Sequence, residues 1–262
     1  MSGILTPVAG TQAVYRINPV AKLVTSVVLT LGVVLSIDWV SATVALAFEL
    51  VLCVFAGLSL KRLVVRTSPI LVAALFAGLT ILLYGTPSGA THLRFLFMQV
   101  TDGSIDLAIA TTVRVVAIGL PAVVLFLTID PTDLADGLAQ VLRLPARFVI
   151  GALAGLRLVG LFLEDWRSLE LARRARGLAD HGRLRRFASQ AFALLVLSVR
   201  RGSKLATAME ARGFGGSGRR TWARESRFGR PEVLLIVIGA AVAAVSVAAS
   251  IVTGHWNFIG GA

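Results

Sequence analysis

Long apolar runs separated by short polar stretches set the rhythm of this chain. Val20 to Ile37 is an almost unbroken run of Val- and Leu-rich sequence that stops at Asp38, and Val40 to Leu58 is a second that stops at Lys61-Arg62. Ser68 to Tyr84 makes a third and Ile105 to Ile129 a fourth. A fifth, Glu232 to Val252, follows the breaker Gly229-Arg230-Pro231. Runs of this length suit helices crossing a hydrocarbon core of about 30 Å. Between the third and fourth lies a polar loop with Gly85, Pro87, Gly89 and His92. The pattern predicts five membrane spans, with Phe148 to Leu163 as a weaker sixth.

After the fourth run the period changes. Leu158, Phe162, Trp166 and Leu169 recur at helical spacing while Glu164, Asp165, Arg167 and Ser168 fill other faces, which predicts an amphipathic helix ending at Gly177. A second stripe, Leu195, Val199, Gly202, Ala206 and Met209, stops at Gly213, ahead of Gly215-Gly216-Ser217-Gly218. Each helix thus has a glycine where a helix end favours one.

Composition agrees with a membrane setting: 56% of residues are apolar, 15% are charged and the mean hydropathy is +0.82. The expected class is an all-α integral membrane protein with about five transmembrane helices and cytoplasmic amphipathic helices. Its organisation reads as residues 1–129 with four spans, 130–230 as a cytoplasmic region, and 231–262 as a last span and tail. Cys53, the single cysteine, lies in an apolar run, so neither an intramolecular disulfide nor a cysteine metal cluster is available. The first 19 residues, with Arg16, Asn18 and Pro19, provide no apolar leader core, and the first span is expected to remain as an uncleaved anchor.

Charge is concentrated in one place. Between Arg143 and Arg230 there are 19 Lys or Arg against 6 Asp or Glu, so this segment accounts for the whole net charge of +12. Arg16 and Lys22 precede the first span, and Lys61, Arg62 and Arg66 lie between the second and third, whereas the stretch from Gly85 to Ser104 holds only Arg94. Basic residues favour the cytoplasmic side, so the N-terminus and the basic segment are expected in the cytoplasm of a multi-pass cell-membrane protein. That rule already explains the charge, and nucleic acid is not an expected partner.

Within the basic segment the tripeptide Ala-Arg-Gly occurs twice, as Ala175-Arg176-Gly177 and Ala211-Arg212-Gly213. An Arg before a C-terminal Gly is ordinary helix capping, favoured by the helix dipole. Recurrence after 36 residues points further. Glu170 and Glu210 stand six and two residues upstream, spacings unsuited to a same-helix ion pair with the motif arginines. Each guanidinium is thereby left for the forked hydrogen bonds it makes with a carboxylate.

These residues carry a resemblance. Leu205 to Phe214, Arg174-Ala175-Arg176-Gly177, Thr128-Ile129-Asp130-Pro131-Thr132-Asp133-Leu134 and Tyr15-Arg16-Ile17-Asn18-Pro19-Val20-Ala21-Lys22 together resemble the transmembrane (T) component of energy-coupling factor transporters, of the cobalt-transport permease type. The first Ala-Arg-Gly departs slightly, with Arg173 where that family more often has Gln. The resemblance implies a non-catalytic scaffold with two partners: a pair of cytoplasmic ABC-type ATPases and a small substrate-binding membrane subunit for vitamin or transition-metal uptake. It assigns ATPase coupling to Ala175, Arg176, Gly177, Ala211, Arg212 and Gly213, with Glu210, Arg157 and Pro131 in support. ATP would be bound by the partners, leaving this chain without a cofactor.

The chain itself has no Gly-x-x-x-x-Gly-Lys-Ser/Thr phosphate loop. It also lacks a Gly-x-Ser-x-Gly elbow and a His-Glu-x-x-His pair, and His92, His181 and His255 are too scattered for a metal site. Glu49 and Arg114 fall inside predicted spans, where a charge suggests mutual pairing, a place near an interface, or a transport role. The competing function is a self-sufficient secondary transporter or channel. That reading expects matched helix breaks in repeated halves, whereas Pro121 in the fourth run has no counterpart.

Overall fold

The computed structural model describes residues 13–36, 38–55, 57, 60–85, 88–95, 98–177, 182–216 and 221–254. The leader expectation for residues 1–12, His181, His255 and the tail beyond Gly254 lie outside them. The described elements are α1 (Ala13–Arg16), α2 (Pro19–Val34), α3 (Trp39–Phe55), α4 (Leu60–Tyr84), β1 (Thr91–Phe95), β2 (Met98–Thr101), α5 (Asp102–Thr128), α6 (Pro131–Gln140), α7 (Ala146–Ala175), α8 (Arg183–Ala211) and α9 (Arg230–Val252). All five expected spans are helices. Leu63–Tyr84, Asp102–Leu125, Ala146–Ala175 and Arg230–Val252 are long and apolar enough to cross a membrane, and α2 and α3 are shorter apolar helices. The weaker sixth run falls in α7, whose apolar window is unburied.

Two expectations change. The basic stretch at Lys61-Arg62 is not a loop, because α4 begins at Leu60 and runs through it. Lys and Arg are good helix formers, and only hydropathy separates them from the span that follows. Pro69 inside α4 cannot donate to the carbonyl of Val65, and the Ser68 hydroxyl takes that carbonyl at 2.8 Å. The polar loop after α4 contains an antiparallel hairpin in which Arg94 pairs with Gln99 and Phe95 with Met98. It leads into α5 through a reciprocal cap between Thr101 and Ser104.

The chain divides into two compact units, residues 1–134 with 227–262, and residues 135–226. In the first, α2, α3, α4, α5 and α9 form a helical bundle. Small residues bring its helices close: a Cβ on Gly32 would lie 2.8 Å from the Ala243 side chain, and one on Gly239 would lie 2.5 Å from Thr25. Apolar lipid tails offer little incentive for helices to associate, so such close backbone approach is what holds α2 against α9. One core cluster joins Val33, Ala42, Ala45 and Ala117, and another joins Cys53, Leu63, Leu120 and Leu127.

The second unit contains most of α6 together with α7 and α8. Ala135, Ala139 and Val149 pack with Leu138, Leu153 and Trp222. Gln140 fixes the returning chain by donating to the Arg224 carbonyl at 2.8 Å and accepting from the Ser226 amide at 2.9 Å.

Candidate functional site: two matched helix ends and a motif clamp

Both Ala-Arg-Gly copies end long helices in the same backbone geometry. Arg176 caps α7 with φ −91° and ψ 8°, and Arg212 caps α8 with φ −90° and ψ 11°. Gly177 and Gly213 follow at φ +67° and +78°, a left-handed turn that costs any residue with a Cβ. The Gly177 amide donates to the Arg174 carbonyl at 3.0 Å, and Gly213 donates to Glu210 at 2.9 Å. At the second end Phe214 also donates back to Met209 at 2.9 Å, completing a Schellman closure.

Several neighbouring charges of α7 and α8 pair internally. Glu170 accepts from Arg174 at 2.7 Å and from Arg186 at 3.0 Å, and Asp165 pairs with Arg201 at 2.6 Å. Arg173 donates to the Ser189 hydroxyl at 2.9 Å. Arg176 and Arg212 are exposed, and among the described residues neither side chain has a hydrogen bond or ion pair. Ala175, Ala211 and Glu210 are exposed beside them, and nothing lies within 4 Å of where a Cβ would sit on Gly177 or Gly213. Arg157 is exposed on α7. Pro131 starts α6, where its missing amide hydrogen costs nothing and Asp130 accepts from Thr132 at 2.7 Å.

Contact between α7 and α8 follows a different stripe from the one expected on α8. Leu195 is 59% exposed and Val199 is exposed too. Gln190, 2% exposed, donates to the Trp166 carbonyl at 2.9 Å, and Trp166 meets Phe187 with ring centroids 5.5 Å apart. The apolar residues of α8 occupy more than one face, so hydrophobicity alone did not identify the packed one. Its signal was polar: a lone Gln in register with Leu194 and Leu197.

The two other motif stretches meet in the first unit. Asn18 caps α2 by accepting from Val20 at 3.0 Å, donates its side-chain amide to the Arg227 carbonyl at 2.8 Å, and offers its backbone amide to Glu232 at 3.3 Å. Lys22 donates to the Thr128 carbonyl at 3.0 Å. The opening motif therefore ties the end of α5 and the stretch before α9 to the start of α2. Sequence spacing gave no sign of this contact.

Glu49 and Arg114 do not pair with each other. Arg114 donates to the Val34 carbonyl at 2.7 Å, satisfying the C-terminal end of α2. Asp38, in the turn after α2, is buried and bonded to the hydroxyls of Ser36 and Ser41 and to the Ser41 amide. Burial raises its pKa, but these hydrogen bonds outweigh burial and hold it below the usual carboxylate value.

The family model for CbiQ, cobalt transport protein, matches residues 10–222. Curated relatives named energy-coupling factor transporter transmembrane protein EcfT match over nearly the same length. The Brevibacillus brevis protein is 27% identical, with 95% of this chain and 96% of its own length covered. That from Exiguobacterium sibiricum is 26% identical over 88% of this chain and 92% of its own, and that from Lactococcus lactis subsp. cremoris is 25% identical over 88% and 91%. With the match extending from the opening motif through both arginine-capped helices, this multi-pass membrane chain belongs to the CbiQ cobalt transport protein family.

Proposed function

We propose that this chain is the transmembrane scaffold of an energy-coupling factor importer for a vitamin or a transition metal. It is a non-catalytic subunit that links two cytoplasmic ABC-type ATPases to a small substrate-binding membrane subunit. ATP is bound by those partners, and this chain takes no cofactor. The observation that carries the proposal is the pair of matched helix ends, each closing a long helix with the same Arg-Gly backbone geometry and an exposed arginine that has no side-chain partner among the described residues. The names of the relatives point to the same class of transporter.

Residues 130–230 form the cytoplasmic coupling region in this proposal, between membrane regions 1–129 and 231–262, with the N-terminus also cytoplasmic. Arg176 and Arg212 each enter an acidic groove on one ATPase, with Ala175, Ala211 and the glycines allowing close approach and Glu210 and Arg157 at the margins. The apolar row Phe148, Leu156, Val159 and Leu163 on α7 is exposed and suits the substrate-binding subunit. Closing of the ATPases moves the two helix ends, and the motion passes along α7 and α8 to that subunit.

Detergent co-purification of the tagged protein from its native cell tests this. The wild type is expected to bring two ATPases and a small membrane protein, and the Arg176→Ala, Arg212→Ala variant to lose the ATPases. A wild type that purifies alone and moves a solute into liposomes without ATP would overturn the proposal.

A further inference from the structure

Within the first unit, α2, α3 and α5, with Val14, Ile17 and Leu235, line a half-open cavity of about 290 Å³. Leu29, Leu52, Leu120 and Val124 supply much of its wall, and Phe55, the highly exposed last residue of α3, stands at its edge. Into this apolar space comes Glu49, which is 4% exposed. Neither carboxylate oxygen has a hydrogen-bond partner among the described residues. The other charged group on the wall, Lys22, is committed to the Thr128 carbonyl.

A carboxylate removed from water with nothing to hold it is costly, and such groups in membrane helices mark binding or transport sites. The apolar cluster beside it, which joins Cys53, Leu63, Leu120 and Leu127, is packed without using the carboxylate. We propose that Glu49 receives the hydrogen-bond-donating ammonium head of an amphiphile whose apolar part lies among Leu29, Leu52, Leu120 and Val124.

Charge and shape both favour that occupant. The acid calls for a cation, the walls call for hydrocarbon, and the hydroxyl of Ser26, also on the wall, offers a further polar contact. Glu49 precedes Phe55 by six residues, a depth of about 9 Å from the end of α3 at helical rise. A head group entering from the membrane interface reaches that far. A primary ammonium can donate to the carboxylate, whereas a quaternary ammonium has no N–H to offer. The same chemistry is present in an aminophospholipid and in a free alkylamine, and the inference does not depend on the proposed coupling role.

The test uses the purified full-length protein in nanodiscs, read by native mass spectrometry. Discs of phosphatidylcholine with added phosphatidylethanolamine are compared with phosphatidylcholine discs titrated with hexylamine. Retention of phosphatidylethanolamine identifies a lipid occupant, and binding of hexylamine identifies a free amine. In either arm Glu49→Gln should weaken binding about tenfold or more, the loss expected for a charge-assisted hydrogen bond. Ser26→Leu, which fills the cavity and leaves the acid in place, should also displace the occupant, and it decides the matter if Glu49→Gln does not fold. Binding of neither probe, retention of phosphatidylcholine as firmly as phosphatidylethanolamine, or retention unchanged by the folded variants would overturn the assignment.

Discussion

The Lys22 ammonium donates a 3.0 Å hydrogen bond to the Thr128 carbonyl, across 106 residues of chain. Thr128 is the last residue of α5, where backbone carbonyls have no helical partner, so the bond satisfies an orphan group and fixes the start of α2 to the end of α5. With Asn18 holding the Arg227 carbonyl, one short motif ties the end of α5 and the stretch before α9 to the start of α2.

Lys22→Met keeps the apolar stem and removes the donor. The expected loss is about 1.5–3 kcal/mol, the range for a hydrogen bond to a charged group. A thermal unfolding series in detergent checks it, and a midpoint equal to wild type would show that the Thr128 carbonyl is satisfied in another way.

The motif arginines should behave in the opposite manner. Because neither side chain is used inside the described structure, Arg176→Ala and Arg212→Ala should each change the stability of the isolated chain by no more than about 0.5 kcal/mol. Under the proposed function each should nonetheless weaken ATPase capture by about 3–5 kcal/mol, the cost of breaking a buried charge pair. Pull-down with the ATPases, beside melting of the chain alone, separates these two effects.

Gly177→Ala and Gly213→Ala force a Cβ into a left-handed turn and should cost about 1 kcal/mol each by fraying the last turn of α7 or α8. Amide hydrogen exchange over residues 170–177 and 207–214 reads that fraying directly. Unchanged protection would show that the turn does not depend on glycine.

Gly239→Leu tests the α2–α9 contact. A Cβ already comes within 2.5 Å of the Thr25 side chain, so the larger side chain must separate the helices. Overpacking of this kind costs about 1–3 kcal/mol, and a cysteine crosslink placed between α2 and α9 should form more slowly in the variant.

Asp38 supplies a pH dependence. Its folded pKa is depressed, so its contribution to stability is present above the unfolded carboxylate value and is lost as pH falls through the folded one. Asp38→Asn should therefore be less stable than wild type by about 1 kcal/mol at neutral pH. The gap should close at acid pH; a constant gap from neutral to acid would mean that the charge itself contributes nothing.

The five apolar spans and their approximate extent were legible in the order of residues because lipid demands long apolar runs, and a run of that kind has few other ways to satisfy its backbone. Helix α6 was not read, and the weaker sixth run proved continuous with the first amphipathic helix in α7. The ends of α7 and α8 were legible for a similar local reason: a glycine after an arginine is a statement about backbone angles and the helix dipole within a few residues. Contacts were another matter. Leu195 and Gln190 lie on one helix, yet the apolar residue is exposed and the polar one is buried against α7, because the partner surface, including Trp166, decides which face is covered. Lys22 with Thr128, Asn18 with Arg227, and the isolation of Glu49 from Arg114 likewise depend on which helices the bundle sets side by side. Periodicity acts over a few turns and so determined the elements; hydrogen bonding and close packing act between distant parts of the chain, and only the tertiary structure decided those.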